Sequence, residues 1–291
     1  MLPLRITALL LIASVLACDR ADEAPPRRWE FETMGTLAAL ELRGPVSEHE
    51  AEGMKRVEEA FRAVDSLMST WDPNSELSRL NRAPVDSSLA LSPLLGDCLA
   101  RALALRTLTN GAFEPGAEPL MRLWGFYRRE GRLPDPEALA ELLPRLDDYD
   151  YEPDTRRFLR RSEEAAIDLG GVAKGFALDL AAAALLELGL DRAMIDLGGN
   201  LYCLGEAEAG RAWRVGIRDP LDRDRIFASL SLRDQAVATS GSYERFVTID
   251  GKRYGHIMNP ATGRPAEGLL SATVISEDAT MGDGLATALF V

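Results

Sequence analysis

Ile167-Asp168-Leu169-Gly170-Gly171-Val172-Ala173-Lys174-Gly175 is the stretch on which the reading of this chain turns. A short apolar run ends in an acid and two glycines, a lysine follows, and an alanine- and leucine-rich segment continues to Leu188. Ala165 to Asp168 reads as a strand and Ala173 to Leu188 as a helix, with Gly189 as its C-cap. Such a layout suits a phosphate group: glycines let backbone N–H groups approach, a helix N-terminus favours negative charge, and a lysine is in reach. The glycines do not spell G-x-G-x-x-G, and no G-x-x-x-x-G-K-[ST] is present, so neither dinucleotide fingerprint nor P-loop applies. Ile-Asp-Leu-Gly-Gly occurs again at 195–199, beyond the helix. The two copies predict one β-turn-α-β unit with matched strand ends, with coincidence as the other reading.

Outward from this unit, Trp29 to Leu42 reads as a strand interrupted by Gly35. Ser47 with Glu50 forms a capping box, opening a helix whose buried stripe is Met54, Val57, Phe61, Val64 and Met68. Ser69 to Asn81 is loop-like. Ser92-Pro93 starts a helix that Asn110-Gly111 stops. A proline-punctuated stretch from Glu114 to Pro153 holds one short helix at Pro136 to Leu143. After Asn200 the chain turns β-rich, with candidates at 213–217, 227–232, 236–239, 244–249, 253–257 and 270–275. Asp250-Gly251 is a hairpin signal, and a last helix covers Thr280 to Phe290. Helices cluster early and antiparallel strands come late, which is an α+β chain with mixed or antiparallel sheets and flanking helices.

The 291 residues, 46% of them apolar, are enough for a sizeable core. A formal charge of -13 leaves no basic face for nucleic acid. Any bound anion therefore needs a purpose-built site.

Arg5, the apolar run Ile6 to Ala17 and the small residue before Cys18 mark residues 1–17 as a targeting signal, too short for a stop-transfer helix. A cysteine directly after such a segment resembles a bacterial lipobox. The resemblance implies cleavage before Cys18, lipidation of that cysteine and, with Asp19 following, an anchor in the inner membrane facing the periplasm. Residues 18–28 read as a polar tether, and 29–291 as the functional domain. An exported compartment would permit a disulfide between Cys98 and Cys203; two buried thiols is the other reading.

Asp283 and Thr287 stand four residues apart on the terminal helix. A carboxylate and a hydroxyl on one face are hard ligands suited to Mg²⁺; surface or capping groups are the plainer reading. His256 leaves a strand into an Asn-Pro and Thr-Gly turn, in a cleft or as a structural ring, while His49 sits in a solvated first turn. Thr239-Ser240-Gly241-Ser242 is no G-x-S-x-G nucleophile elbow.

Together these pieces resemble the ApbE family of FAD:protein FMN transferases. The segments that carry the resemblance are Met34-Gly35-Thr36, Met68 to Trp71, Ser75 to Asn81, Gly111 to Glu114, Leu123 to Phe126 and Asp168 to Gly175. Gly198 to Asn200, Thr239 to Arg245, His256 to Pro260 and Asp283 to Thr287 complete it. The resemblance implies an ApbE-like fold and Mg²⁺-dependent transfer of FMN from FAD to a threonine hydroxyl of an acceptor protein, with AMP leaving. Acceptors would be subunits of membrane redox complexes. It implies Asp283, Thr287 and the Gly171 carbonyl as metal ligands. Met34, Trp71, Ala112, Phe113, Glu114, Asp168, Lys174, His256 and Ile257 would line the FAD site. His256 is the candidate base, because an ordinary imidazole titrates near neutrality.

This chain departs from the family pattern in three places. Trp71 stands where tyrosine is frequent, Glu114 where aspartate is usual, and Val291 follows the metal helix directly where relatives usually continue. Two rival readings remain: hydrolysis of FAD to AMP and FMN at the same residues, and a non-catalytic exported flavin carrier.

Overall fold

The computed structural model describes residues 24–127, 130–222, 224–242 and 245–291. The targeting segment and Cys18 lie outside them, as do Tyr243 and Glu244. The first element is a hairpin of β1 (Arg27–Thr33) and β2 (Thr36–Leu42) rather than one interrupted strand. Met34 and Gly35 both take positive φ, 50° and 67°, the geometry of a turn whose twist matches antiparallel strands.

Helix α1 (Glu50–Met68) buries Val57, Phe61, Val64 and Met68 as the spacing requires, with Met54 half-buried. Only half of the expected capping box forms. Glu50 accepts the Ser47 N–H at 3.1 Å, but the helix starts at Glu50 behind His49, and Arg27 also holds Glu50 at 2.6 Å. The segment read as a loop contains α2 (Glu76–Asn81), capped by Ser75 Oγ accepting the Ser78 N–H at 2.9 Å.

Strand β3 (Ser88–Ala90) leads into α3 (Pro93–Leu108); α4 (Glu118–Leu123) and α5 (Pro136–Leu142) follow. Strands β4 (Tyr149–Glu152) and β5 (Arg157–Arg160) join β3 in a small sheet, order β3-β5-β4. Nothing in the polar, proline-rich sequence had marked it. Helix α6 (Ala173–Glu187) ends at Gly189, φ 70°, where Leu190 N–H returns to Leu185 O at 2.9 Å and closes the expected cap.

Strands β6 (Ala193–Leu197) and β7 (Asn200–Leu204) follow, then β8 (Trp213–Arg218), β9 (Ile226–Leu232) and β10 (Gln235–Gly241). Next come β11 (Phe246–Ile249) and β12 (Lys252–Gly255), joined by the predicted Asp250-Gly251 turn. Two short strands, β13 (Met258–Asn259) and β14 (Arg264–Pro265), precede β15 (Ser271–Ser276) and the terminal helix α7 (Ala279–Phe290).

The repeated pentapeptide does not mark matched strand ends. Its second copy is β6 and the turn into β7, but its first lies in no strand. Ile167 gives both backbone groups to the Asn81 side chain, each bond 2.8 Å, and Asp168 N–H goes to Pro115 O at 2.7 Å. With those backbone groups occupied, no sheet can pair there.

One sheet organises the molecule, order β1-β2-β6-β7-β10-β15, and every ladder in it is antiparallel. Helices α1, α6 and α7 pack on it, with α3 against α1 and α7, in a core that includes Leu40, Phe61, Leu99, Ala181 and Ile195. On its other face the β8–β9 hairpin packs Trp213, Val215 and Leu232 on Cys203 and Val237. Cys98 and Cys203 are separate buried free thiols, and burial pushes each up to about 12, so the disulfide does not form here. The described fold is therefore α+β, as the sequence indicates, and no described helix is long and apolar enough to cross a membrane.

Candidate active site

The hairpin turn, the ends of α1 and β10, the loops around 113, 127, 169 and 257, and one face of α7 surround a cleft of roughly 390 Å³. It lies within the ordinary range for small-molecule sites. Every site residue named from the sequence lines it except Cys18: Met34, Trp71, Ala112, Phe113, Glu114, Asp168, Gly171, Lys174, His256, Ile257, Asp283 and Thr287. A hollow of about 610 Å³ over the β3-β5-β4 sheet includes none of them, and half of its lining side chains are charged.

The buried end of the cleft is made where α6 meets α7. Gly175 lies so close to the first turn of α7 that a Cβ would sit 2.2 Å from Ala279 O. That approach lets Gly175 N–H donate to Asp283 Oδ2 at 3.0 Å. Asp283 is buried, and desolvation raises its pKa, opposed by the Lys174 charge, the Gly175 N–H and the Asn200 amide. One turn on, Thr287 Oγ1 lies 3.3 Å from both Asp283 O and Ser240 Oγ. Gly171 completes the corner, since a Cβ there would lie 3.3 Å from Thr287 Oγ1 and 2.9 Å from the Phe113 ring.

These are hard oxygen donors around a buried carboxylate, which suits Mg²⁺. No cluster of three or more His, Cys, Asp or Glu side chains exists among the described residues. A cation here would need further oxygens, and Mg²⁺ characteristically takes them from substrate phosphates and water. The donor set fits.

The open end is aromatic. Trp71 is 55% exposed and meets Tyr127 edge-on, with ring centroids 5.3 Å apart. Tyr127 donates to Asp168 Oδ2 at 2.9 Å, and burial, then the Asp168 and Glu118 charges, push its phenol far up. Gly170 N–H donates to Asp168 Oδ1 at 2.7 Å. Met34 reaches the cleft from its left-handed conformation, which costs a non-glycine residue about 1 kcal/mol. Strain of that kind collects at ligand sites.

Two sequence expectations change at the level of side chains. Glu114 lines the cleft, but its carboxylate is already engaged by Arg106, by Gly116 N–H at 2.8 Å and by Tyr149 OH at 3.2 Å. It therefore braces the loop instead of extending a longer arm toward a ligand. The second concerns His256, which does not titrate near neutrality. Although part of its surface meets solvent, the ring is enclosed by protein; desolvation, then the Arg245 charge, then Lys174 lower it to about 4. Its backbone N–H and Nδ1 both face Arg245 O, at 3.1 and 3.2 Å. That carbonyl assigns the proton to Nδ1 and leaves the Nε2 lone pair free. The ring is a neutral acceptor at pH 7.

Tyr127, Arg245 and Ser240 were not singled out from sequence. Tyr127 directly follows the Leu123–Phe126 segment, and the other two lie inside the 239–245 segment, so position alone could have raised them. Lys174 and Arg245 form no ion pair with any described residue, in a chain whose net charge is -13. Two cations beside a hard-donor corner, neither in an ion pair with a described residue, suit an anion.

The ApbE family model matches residues 34–291. This chain belongs to the ApbE family. It is 33% identical to the FAD:protein FMN transferase of Klebsiella pneumoniae (strain 342) over 300 residues, covering 98% of this chain and 85% of that protein. The FAD:protein FMN transferase of Treponema pallidum is 34% identical over 279 residues, 89% of this chain and 76% of that one. Among solved structures, the ApbE protein of Thermotoga maritima superposes with a TM-score of 0.84 at 31% identity, covering 92% of this chain and 87% of that one. The flavin transferase ApbE of Vibrio cholerae gives 0.79 at 30%, covering 91% and 87%.

Proposed function

We propose that this chain transfers FMN from FAD to a threonine hydroxyl of an acceptor protein, with Mg²⁺ at Asp283, Thr287 and the Gly171 carbonyl. The observation that carries the reading is the cleft itself. A hard-donor corner, the cations Lys174 and Arg245, a neutral imidazole and an exposed indole line one cleft in a member of a family whose relatives bear that name.

The acceptor oxygen forms a bond to the FMN phosphorus, and the bond from that phosphorus to the bridging oxygen breaks. AMP leaves with the bridging oxygen. His256 Nε2 accepts the hydroxyl proton, which then passes to solvent or to AMP. Bound Mg²⁺ would neutralise pyrophosphate charge as the bond breaks. Lys174 and Arg245 hold phosphate charge on the other side, and such positioning with electrostatics supplies most of the acceleration in phosphoryl transfer. Trp71 and Met34 offer apolar surfaces to a flat ring, while Asp168, held by two donors, presents a fixed acceptor.

The location belongs to the same reading. Lipidation at Cys18 would anchor the domain at the inner membrane facing the periplasm, within reach of flavin-bearing subunits of membrane redox complexes. Metabolic labelling with a palmitate analogue tests it; a Cys18→Ser protein that keeps the label counts against it. The function is tested by incubating FAD, Mg²⁺, the protein and a candidate acceptor and following AMP and acceptor mass. AMP with free FMN and an unchanged acceptor would instead support hydrolysis.

A further inference from the structure

Asn200 opens β7 immediately after the Gly198-Gly199 turn and is 2% exposed. Its Nδ2 is buried with no hydrogen-bond partner. A buried donor left unsatisfied is destabilising, so its presence needs a reason. The amide stands beside Asp283, near enough to favour the charged carboxylate, yet not at hydrogen-bond geometry. Asp283 has one oxygen, Oδ2, tied to Gly175 N–H.

The backbone gives Asn200 little freedom. It pairs with Leu197 across the β6–β7 hairpin, and Gly198 N–H donates to Leu37 O at 3.0 Å. Gly199 N–H donates to Asp196 Oδ1 at 2.9 Å, and a Cβ on Gly198 would strike Thr36 Oγ1 at 2.6 Å. The turn thus fixes the place of the Asn200 amide, beside the one carboxylate in the cleft's hard-donor corner. Asn200 itself does not line the cleft, so it would not touch the substrate.

We infer that Asn200 is a positioning residue for the cation site: its Nδ2–H completes a hydrogen bond to Asp283 when a divalent cation turns that carboxylate, fixing which oxygen faces the metal. This rests on the magnesium reading above. Held between the Gly175 N–H and the Asn200 amide, the carboxylate has one orientation left to offer, which is how outer-shell partners raise metal affinity.

The test is a titration of Mn²⁺ into the FAD-loaded protein, with free Mn²⁺ followed by electron paramagnetic resonance. Asn200→Leu keeps the volume and removes the donor; it should weaken Mn²⁺ binding about 10–100-fold, the usual effect of losing an outer-shell partner. FAD affinity without metal, read from flavin fluorescence, should stay within about twofold, because only the metal's orienting group has changed. If Asn200→Leu does not fold, Asn200→Ser carries the test, its hydroxyl being too short to reach. Mn²⁺ affinity within about threefold of wild type in either folded variant overturns the inference. Asp283→Asn separates the two levels. If it binds Mn²⁺ like wild type, the magnesium reading falls and this inference with it; if it loses binding while the Asn200 variants keep it, the Asn200 inference alone falls.

Discussion

Gly175→Ala isolates the contact that builds the buried end of the cleft. An added Cβ would stand 2.2 Å from Ala279 O, 2.6 Å from its carbonyl carbon and 2.8 Å from Thr280 Cα, all backbone atoms that cannot swing aside. Reaching an ordinary contact requires α6 and α7 to separate by about 1 Å. The Gly175 N–H bond to Asp283, now 3.0 Å, would open to about 4 Å and be lost. Overpacking costs about 1–3 kcal/mol, and a lost bond to a charged group about 1.5–3. The better helix propensity of alanine returns about 1. The net loss is about 1.5–5 kcal/mol, or roughly 3–20 °C in Tm for a chain of this size. Because Asp283 moves relative to Gly171 and Lys174, transfer should also fall about 100-fold. Circular dichroism melting and acceptor mass after timed incubation read the two effects. A Tm within about 1 °C of wild type and a rate within about twofold would show that the close approach at Gly175 does not build the site.

Four other outcomes are expected. His256→Gln should slow transfer about 10²-fold with FAD binding retained, the low end for loss of a proton acceptor, because a ring that titrates near 4 is a weak base; equal losses in binding and rate would contradict that role. The folded His256 binds its proton only near pH 4, the unfolded one near 6.5, so stability must fall as pH drops through that window. Denaturant midpoints at pH 7 and 4.5 should differ less in His256→Gln than in wild type. Trp71→Ala should weaken FAD binding by about 1–3 kcal/mol, the worth of one stacked aromatic, with little change in Tm because the ring is mostly exposed; fluorescence quenching titration reads it. Met34→Asn relieves the left-handed strain, since asparagine tolerates that conformation. Stability should hold or rise while FAD affinity falls, and a parallel rise in both would show that Met34 is a turn residue alone.

The sequence revealed most where local rules govern the structure. The 3–4 spacing of Val57, Phe61, Val64 and Met68 defined α1, Gly189 ended α6, and Asp250-Gly251 turned the β11–β12 hairpin. Misreadings came where distant groups decide. Ala165 to Asp168 has strand composition, but Asn81 and Pro115 take its backbone bonds from 86 and 53 positions away. Ser47 looked like a helix cap, yet Glu50 is shared with Arg27 across the β1–α1 junction. The β3-β5-β4 sheet is short and polar, so no alternation announced it.

For the site, motif order located the lining residues, since a cleft built from many loops leaves no single periodic trace. Motif order did not reveal the direction of the Glu114 carboxylate or the depressed basicity of His256. Both depend on Arg106, Tyr149 and Arg245, and on burial that only folding creates.

The most direct measurement is the mass of a candidate acceptor after incubation with this protein, FAD and Mg²⁺. The expected result is a gain equal to FMN less water, matched by AMP release, absent with EDTA and absent when the acceptor threonine is alanine. An acceptor of unchanged mass, with AMP and free FMN accumulating at the same rate whether or not it is present, would contradict transfer as the function of this cleft.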